Sequence, residues 1–409
     1  MSIAADLDCR QLSAADAGRA IVERFNSLAP QARCGAIVGA YEPLLRVALL
    51  EAGIRHAAER LADGAWRLAI RRGAVPAQGT VPGVHHVVTD GDSVWTCERG
   101  ERVARIAADG EPVAVARVAR KASHLALEHR SGTLFVADAG ANEVIALRAA
   151  DLAVLARWPA PGGPQLPLAS PQGDVCVTGA STGTLTLATP RHGRYSERTV
   201  EVGSCPHDPL LDGDGTHVLV PCAGSGELVK VRIDDGRVVG RASVGDGPSH
   251  LARGADGRVY CANSWDGTVS CVSRDGERVA SAASGGWAHA VDVAPDGRFV
   301  FVANFLDDTL AVFDAGTLER VALLATGEYP HGLDVSPDGR RLVVTAFAGR
   351  ELRVFDAQRL DELGRVAVGR GSSHTAFCGG MGWVGCSVDD HVARVDLAKL
   401  SLTGRISLH

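Results

Sequence analysis

The chain has 409 residues and a formal charge of −6, with no basic stripe suited to nucleic acid or an anionic membrane. No run of about 18 apolar residues exists to span a bilayer. The opening "MSIAADLDCRQLSAADAG" has acidic residues and no basic region before an apolar stretch, so it does not read as a secretory signal, and a cytoplasmic protein is expected.

Residues 1–72 read as a small α/β unit. "ADLDCRQL" is a short strand. "SAADAGRAIVERFNSL" is a helix with Ser13 as N-cap and apolar positions at Ile21, Val22, Phe25 and Leu28. "RCGAIVGA" is a second strand, "YEPLLRVALLEAGI" a second helix, and "AWRLAIRR" alternates as a closing strand. Residues 73–82 are a Pro/Gly linker. Through "LDCRQL", "FNSLAP" and "GAWRLAIRR" the unit resembles the TusA-like family, in its branch of unknown function. The sulfur carriers of that family place a cysteine followed by proline at the start of the first helix. Here Ser13-Ala14-Ala15 stands there, and Cys9 lies on the strand. The resemblance therefore implies docking of a protein partner or regulation rather than persulfide transfer.

Residues 83–409 repeat with a period of roughly 40 residues. "HAVDVAPDGRFVFVANFLDDTLAVFDAGTLERVALLATGE" is followed by "HGLDVSPDGRRLVVTAFAGRELRVFDAQRLDELGRVAVGR". Each unit has four short β-rich runs, some joined by Asp-Gly turns. Second strands read at "SVWTC", "TLFVA", "DVCVT", "HVLVP", "RVYCA", "FVFVA", "RLVVT" and "GWVGC". The expectation is an all-β eight-bladed β-propeller carrying the small N-terminal α/β domain, its ring closed by packing complete blades. "SPDGRRLVVTAF" and "APDGRFVFVANF" resemble YVTN-type propeller repeats. Eight such blades are also similar to the haem-bearing propeller of cytochrome-cd nitrite reductase and its relatives.

Just before each first strand one slot recurs: His85 or His86, His124, Gln165, His207, His250, His289, His331 and His374. Seven of eight blades thus place an imidazole where the innermost strand enters the central channel, and repetition about the axis turns one slot into a ring. A copied turn-capping or inter-blade role is the plainer alternative. Crowded imidazoles repel when protonated, so they are held neutral or share a cation. Neutral imidazole is a ligand for copper, iron, zinc and nickel. Seven exceed one tetrahedral site, so either a subset binds while the others support it, or several metals sit together. Gln165 fills the eighth position, and Cys205 and Cys378 are the thiols closest in sequence to the ring. The ten cysteines form no C-x-x-C pair or C-x-x-C-H, so they otherwise read as core residues.

Asp292 and Asp334, three positions after ring histidines, are candidates to orient imidazoles, to face solvent or to join blades. Arg117, Arg120 and Lys121 are candidates to hold tetrapyrrole carboxylates, or a solvated strand face and turn. In plan the hub is similar to those of carotenoid-cleavage oxygenases, with one iron on four histidines, and of nitrous oxide reductase, with a copper cluster on seven. The leading expectation is a metal-dependent oxidoreductase with a copper or iron centre of one or several ions, acting on a small molecule. The alternatives are a haem-type tetrapyrrole binding or maturation protein of nitrogen-oxide metabolism, and a non-catalytic interaction scaffold.

Overall fold

The computed structural model describes residues 7–12, 17, 20–21, 33–38, 54–60, 66–72, 83–98, 100–191, 194–274 and 276–408. The chain divides into two compact units, Met1–Val81 and Pro82–His409. Among the described residues no helix is long and apolar enough to cross a membrane.

The first unit contains a four-stranded sheet of Leu7–Cys9, Arg33–Val38, Ile54–Arg60 and Trp66–Arg72. The first strand runs parallel to the second, which pairs antiparallel with the fourth, and the third lies at the edge. Three strands occupy the segments anticipated from sequence. Ile54–Arg60 is an addition, pairing along its length with Trp66–Arg72 as a hairpin. Its "IRHAAER" has no clean apolar face, so backbone pairing rather than alternation defines it. Ile54, expected to end the second helix, begins this strand, and the remainder of that helix lies outside the described residues. Ala17, Ala20 and Ile21 are helical, with Ala17 and Ile21 buried as the apolar rhythm of the first helix requires. Ser13, Val22, Phe25 and Leu28, and the linker at 73–82, also fall outside the described residues.

The second unit is an eight-bladed β-propeller built from eight four-stranded antiparallel sheets, each of four strands consecutive in sequence. The blades begin at Val84–Thr89, Ala122–Glu128, Leu168–Ala169, Leu210–Leu211, Pro248–Arg253, Ala288–Val293, Pro330–Val335 and Ser372–Cys378. Second strands such as Phe299–Asn304 and Thr133–Asp138 are buried at every position, because neighbouring blades cover both faces. Outermost strands such as Arg278–Ala283 and Arg320–Ala325 alternate in exposure.

The ring closes by contact between complete blades. Ser373 Oγ of blade eight donates to the His85 carbonyl of blade one at 2.8 Å, and Arg102 Nη1 donates to the Leu408 carbonyl at 2.9 Å. Val84, Val94 and Ile106 share one apolar cluster with Trp383, Val392 and Ile406.

The repeated histidine does not precede the first strand in most blades; it lies inside it, at a β-bulge. Pairing shifts by one residue between Val84 and His86, Pro248 and His250, Ala288 and Val291, Pro330 and Leu333, and Ser372 and Thr375, and opposite Val136 and Asp138 in blade two. A bulge leaves one residue off the ladder and re-aims its neighbours. Only Gln165 and His207 precede their strands, which shrink to two residues each. Both sit between prolines, Pro164 and Pro167 or Pro206 and Pro209, whose missing N–H groups postpone the ladder.

Candidate metal centre at the propeller hub

The bulges bring the imidazoles into one continuous arc. Ring centroids are 5.1 Å apart for His207 and His250, 4.5 Å for His250 and His289, 4.6 Å for His289 and His331, and 5.4 Å for His331 and His374. His374 lies 4.9 Å from His85 and 4.7 Å from His86, which lie 5.2 and 5.0 Å from His124. The arc folds inward at one side. His124 and His374, from blades two and eight, are 5.5 Å apart, and His85 and His331, from blades one and seven, are 6.3 Å apart. Blade three supplies Gln165 instead of an imidazole.

Serines ahead of three histidines fix the geometry. Ser123 Oγ donates to the Pro164 carbonyl of blade three at 3.0 Å, as Ser373 Oγ does to His85. In blade five Ser249 Oγ and Ser264 Oγ are 2.7 Å apart, and Ser264 Oγ donates to the Ala288 carbonyl of blade six at 2.8 Å. In blade seven a glycine, Gly332, takes the bulge, because a Cβ there would lie 1.9 Å from the Ser373 carbonyl oxygen. The short residues at the bulge thus serve inter-blade contact while the histidine turns to the axis.

His85 and His86 play different parts. His86 Nδ1 accepts the Leu125 N–H at 3.3 Å, which places its proton on Nε2 and commits the ring to joining blades one and two. The ring nitrogens of His85, His124 and His374 come within 4.8 Å of one another, a spacing able to hold a metal ion. A second such grouping is His207, Asp208 and His250. Asp208 is buried, with Oδ1 3.6 Å from His207 Nδ1 and Oδ2 3.4 Å from His250 Nε2. His289 and His331 bridge the two groupings and pack on aromatic side chains. Phe305 lies 5.8 Å from His289, Phe347 stacks on His331 at 5.8 Å, and Tyr329 meets Phe305 at 4.8 Å.

Four of the hub imidazoles, His86, His250, His289 and His374, are biased towards the neutral form. Burial lowers His86 to about 4, with the Asp208 charge opposing. Burial also puts His250, His289 and His374 well below the usual histidine range. Neighbouring imidazoles push the same way: His289 on His250, His331 on His289, and His86 and His85 on His374.

The other candidates lie elsewhere or serve the framework. Asp292 accepts the Val293 and Val335 N–H groups, each at 2.8 Å, and Asp334 accepts the Thr375 hydroxyl, so both carboxylates join blades. Burial raises Asp292 to about 6, and burial with the Asp292 charge raises Asp334 to about 8. Arg117, on an outermost strand, pairs with Glu101 at 2.9 Å. The backbone N–H groups of Arg120 and Lys121 are capped by buried Asp138 at 2.7 and 2.9 Å. Cys205 is half-buried with a positive φ of 50°, and its carbonyl accepts the Ala223 N–H at 2.9 Å. Cys378 is a core thiol donating to the Gly91 carbonyl at 3.2 Å. The Gln165 N–H donates to the Thr178 carbonyl at 3.1 Å. A third His/Asp grouping, Asp212, Asp214 and His217, is a turn that satisfies itself: Asp212 binds His217 N and Nδ1, and Asp214 binds Thr216.

Asp208 and the two phenylalanines were not singled out in the sequence. Phe305 and Phe347 end "VFVANF" and "LVVTAF", the same slot in adjacent blades, and that repetition was their signal. Asp208 had a subtler one. After the ring histidine the other blades carry Val87, Leu125, Leu251, Ala290, Gly332 or Thr375, and blade four alone carries a charge.

Residues 174–367, running from blade three through blade seven, match the family model described as lactonase, 7-bladed beta-propeller. No curated protein matches the chain. Among solved structures, the dihydro-heme d1 dehydrogenase NirN in complex with DHE aligns with a TM-score of 0.60 at 18% identity, covering 71% of this chain and 67% of that one. A putative 6-phosphogluconolactonase from Bacteroides fragilis aligns with a TM-score of 0.54 at 18% identity, over 70% of this chain and 93% of that one. Kuenenia stuttgartiensis hydrazine synthase aligns with a TM-score of 0.54 at 16% identity, over 77% of this chain and 96% of that one. What this chain has in common with all three is the propeller.

Proposed function

We propose that the chain is a metalloprotein whose hub binds copper or iron through imidazole nitrogens and serves redox chemistry on a small molecule. The observation that carries this reading is the convergence of imidazoles from successive blades, three of which, His85, His124 and His374, bring their nitrogens within 4.8 Å of one another. The donor chemistry fits: neutral imidazole suits copper and iron, and His289 Nε2 is buried with no hydrogen-bond partner. Bound there, the metal would supply a one-electron redox couple. His85, His124 and His374 would hold it, His86 would fix the position of the strand beside them, and Phe305 and Phe347 would keep water from His289 and His331. The test is metal analysis of freshly isolated protein. About one or more equivalents of copper or iron per chain is expected, and absence of bound transition metal after reconstitution overturns the reading.

The likeness to NirN, whose structure contains DHE, supports a second reading in which a hub imidazole would ligate a haem-d-type tetrapyrrole, which would supply the redox chemistry. An intense Soret band in the isolated protein would favour this reading over an all-imidazole centre. From its TusA-like sequence, the N-terminal unit would dock a protein partner in either case.

A further inference from the structure

We infer that the hub has two cation sites of unlike donor chemistry, one of three imidazoles from His85, His124 and His374, and one in which Asp208 joins His207 and His250. The inference rests on the metalloprotein reading above and adds to it a carboxylate site of its own.

Proton directions around His250 are fixed by two serines. Ser264 Oγ donates to the Ala288 carbonyl at 2.8 Å, which uses its only proton. The 2.7 Å contact between Ser264 and Ser249 is therefore donated by Ser249. Ser249 then has no proton left for His250 Nδ1, 3.2 Å away, so that contact is donated by the Nδ1–H. A neutral ring protonated on Nδ1 carries a bare lone pair on Nε2, and that atom faces Asp208 Oδ2 at 3.4 Å. Two lone pairs held face to face in a buried site repel unless a cation lies between them.

The spacing suits a metal ion. Nitrogen and oxygen ligands ~2.1 Å from a tetrahedral ion lie ~3.4 Å from each other. The two distances made by Asp208, 3.4 Å to His250 Nε2 and 3.6 Å to His207 Nδ1, match that edge and exceed a hydrogen bond. Asp208 is only 8% exposed, yet its Oδ1 has no hydrogen-bond partner, and neither does His207 Nδ1. The Ser249–Ser264 relay is the kind of support that fixes a ligating histidine in one tautomer.

The two sites also differ in access. His85 is 2% and His124 9% exposed, whereas the side chain of His207 is 38% exposed and that of His250 19%. Three protein donors leave a fourth position for water or a small molecule. The Asp208 site thus offers two part-exposed imidazoles to a small anionic or neutral oxygen or nitrogen ligand from solvent, whereas two of the three imidazoles of the other site are buried.

The test uses the full chain, stripped with a chelator, titrated calorimetrically with Zn²⁺ and spectroscopically with Co²⁺. Wild type is expected to take two equivalents. Asp208→Asn is expected to lose one of them and keep the other, and His374→Gln to lose the complementary one. Ser249→Ala, which leaves every ligand in place but releases the tautomer, is expected to weaken only the Asp208-dependent equivalent, by ~10-fold or more. Asp212→Asn, at the self-satisfied surface turn, should change neither. Binding of a single equivalent that Asp208→Asn and Ser249→Ala leave unaltered overturns this inference and leaves the metalloprotein reading standing. Two equivalents with unchanged affinity in Asp208→Asn also overturn it. Failure of wild type to bind either ion overturns both.

Discussion

The hub histidines predict a loss of stability in mild acid that can be traced to particular rings, and His86 is the best placed to show it. The folded protein resists protonating this ring, which burial lowers from 6.5 to about 4, so the unfolded chain takes up the proton first. Its contribution is whole above pH 6.5 and falls as pH drops towards 4. Integrated between pH 7 and pH 5, a shift of this size removes about 2 kcal/mol. Wild-type stability alone is not a clean readout. Asp292, raised to about 6, changes in the opposite sense over the same window, while His250, His289 and His374 change in the same sense as His86. The difference between wild type and His86→Gln reports this ring together with its effect on its neighbour His374. Glutamine can still accept the Leu125 N–H and does not titrate. Denaturant unfolding of metal-free protein, followed by tryptophan fluorescence, should show the variant losing about 2 kcal/mol less than wild type between pH 7 and pH 5. Parallel pH dependence of the two proteins would refute the claim that the hub keeps this ring neutral.

Other substitutions test the framework that aims the ring. Ser373→Ala removes the hydroxyl that links blade eight to the His85 carbonyl, and should cost about 1–2 kcal/mol in unfolding free energy. Gly332→Ala places a Cβ against the Ser373 carbonyl oxygen, a backbone atom that cannot step aside cheaply. The expected cost is about 3 kcal/mol, read as a lowered melting temperature and a reduced soluble yield. Asp334 is raised from 3.8 to about 8, so the folded protein keeps a proton that the unfolded chain has released, and this stability is lost as pH rises through about 8. Asp334→Asn should therefore gain about 2 kcal/mol relative to wild type between pH 6 and pH 8, measured by denaturant unfolding at both pH values.

The propeller was legible because its signals are repeated. Continuous apolar second strands such as "FVFVA" and Asp-Gly turns recur at one period, and each blade confirms the register of the next. The histidine slot was legible for the same reason, but its place on the ladder was not. A bulge depends on which residues of two strands pair, and nothing in "PSHLAR" or "HAVDV" fixes that locally. The choice between His85 and His86 was also closed to sequence, since it turns on a hydrogen bond to Leu125 in the following blade. The strand Ile54–Arg60 escaped notice because it is an edge strand without an apolar face. Asp208 escaped because reading by repeats looks for what blades have in common, and this residue occurs once.

That last omission bears on how such a hub acquires chemistry. Duplication copies one slot to every blade and produces a ring of like groups, and a ring of like groups distinguishes no direction. Blades three and four depart from the pattern in sequence and in structure together. Prolines flank the slot, the first strand contracts to two residues, the imidazole is absent from one blade, and a carboxylate stands beside it in the other. The same sector contains His207, whose side chain is 38% exposed, while His85 and His124 are buried. Shortening the ladder releases backbone that would otherwise fix the slot in a regular strand, and Asp208 reaches both His207 and His250 from that released segment. The symmetric part of the repeat thus builds a cluster of like bases. Its one irregular sector adds the charge and the exposure that give the cluster a front.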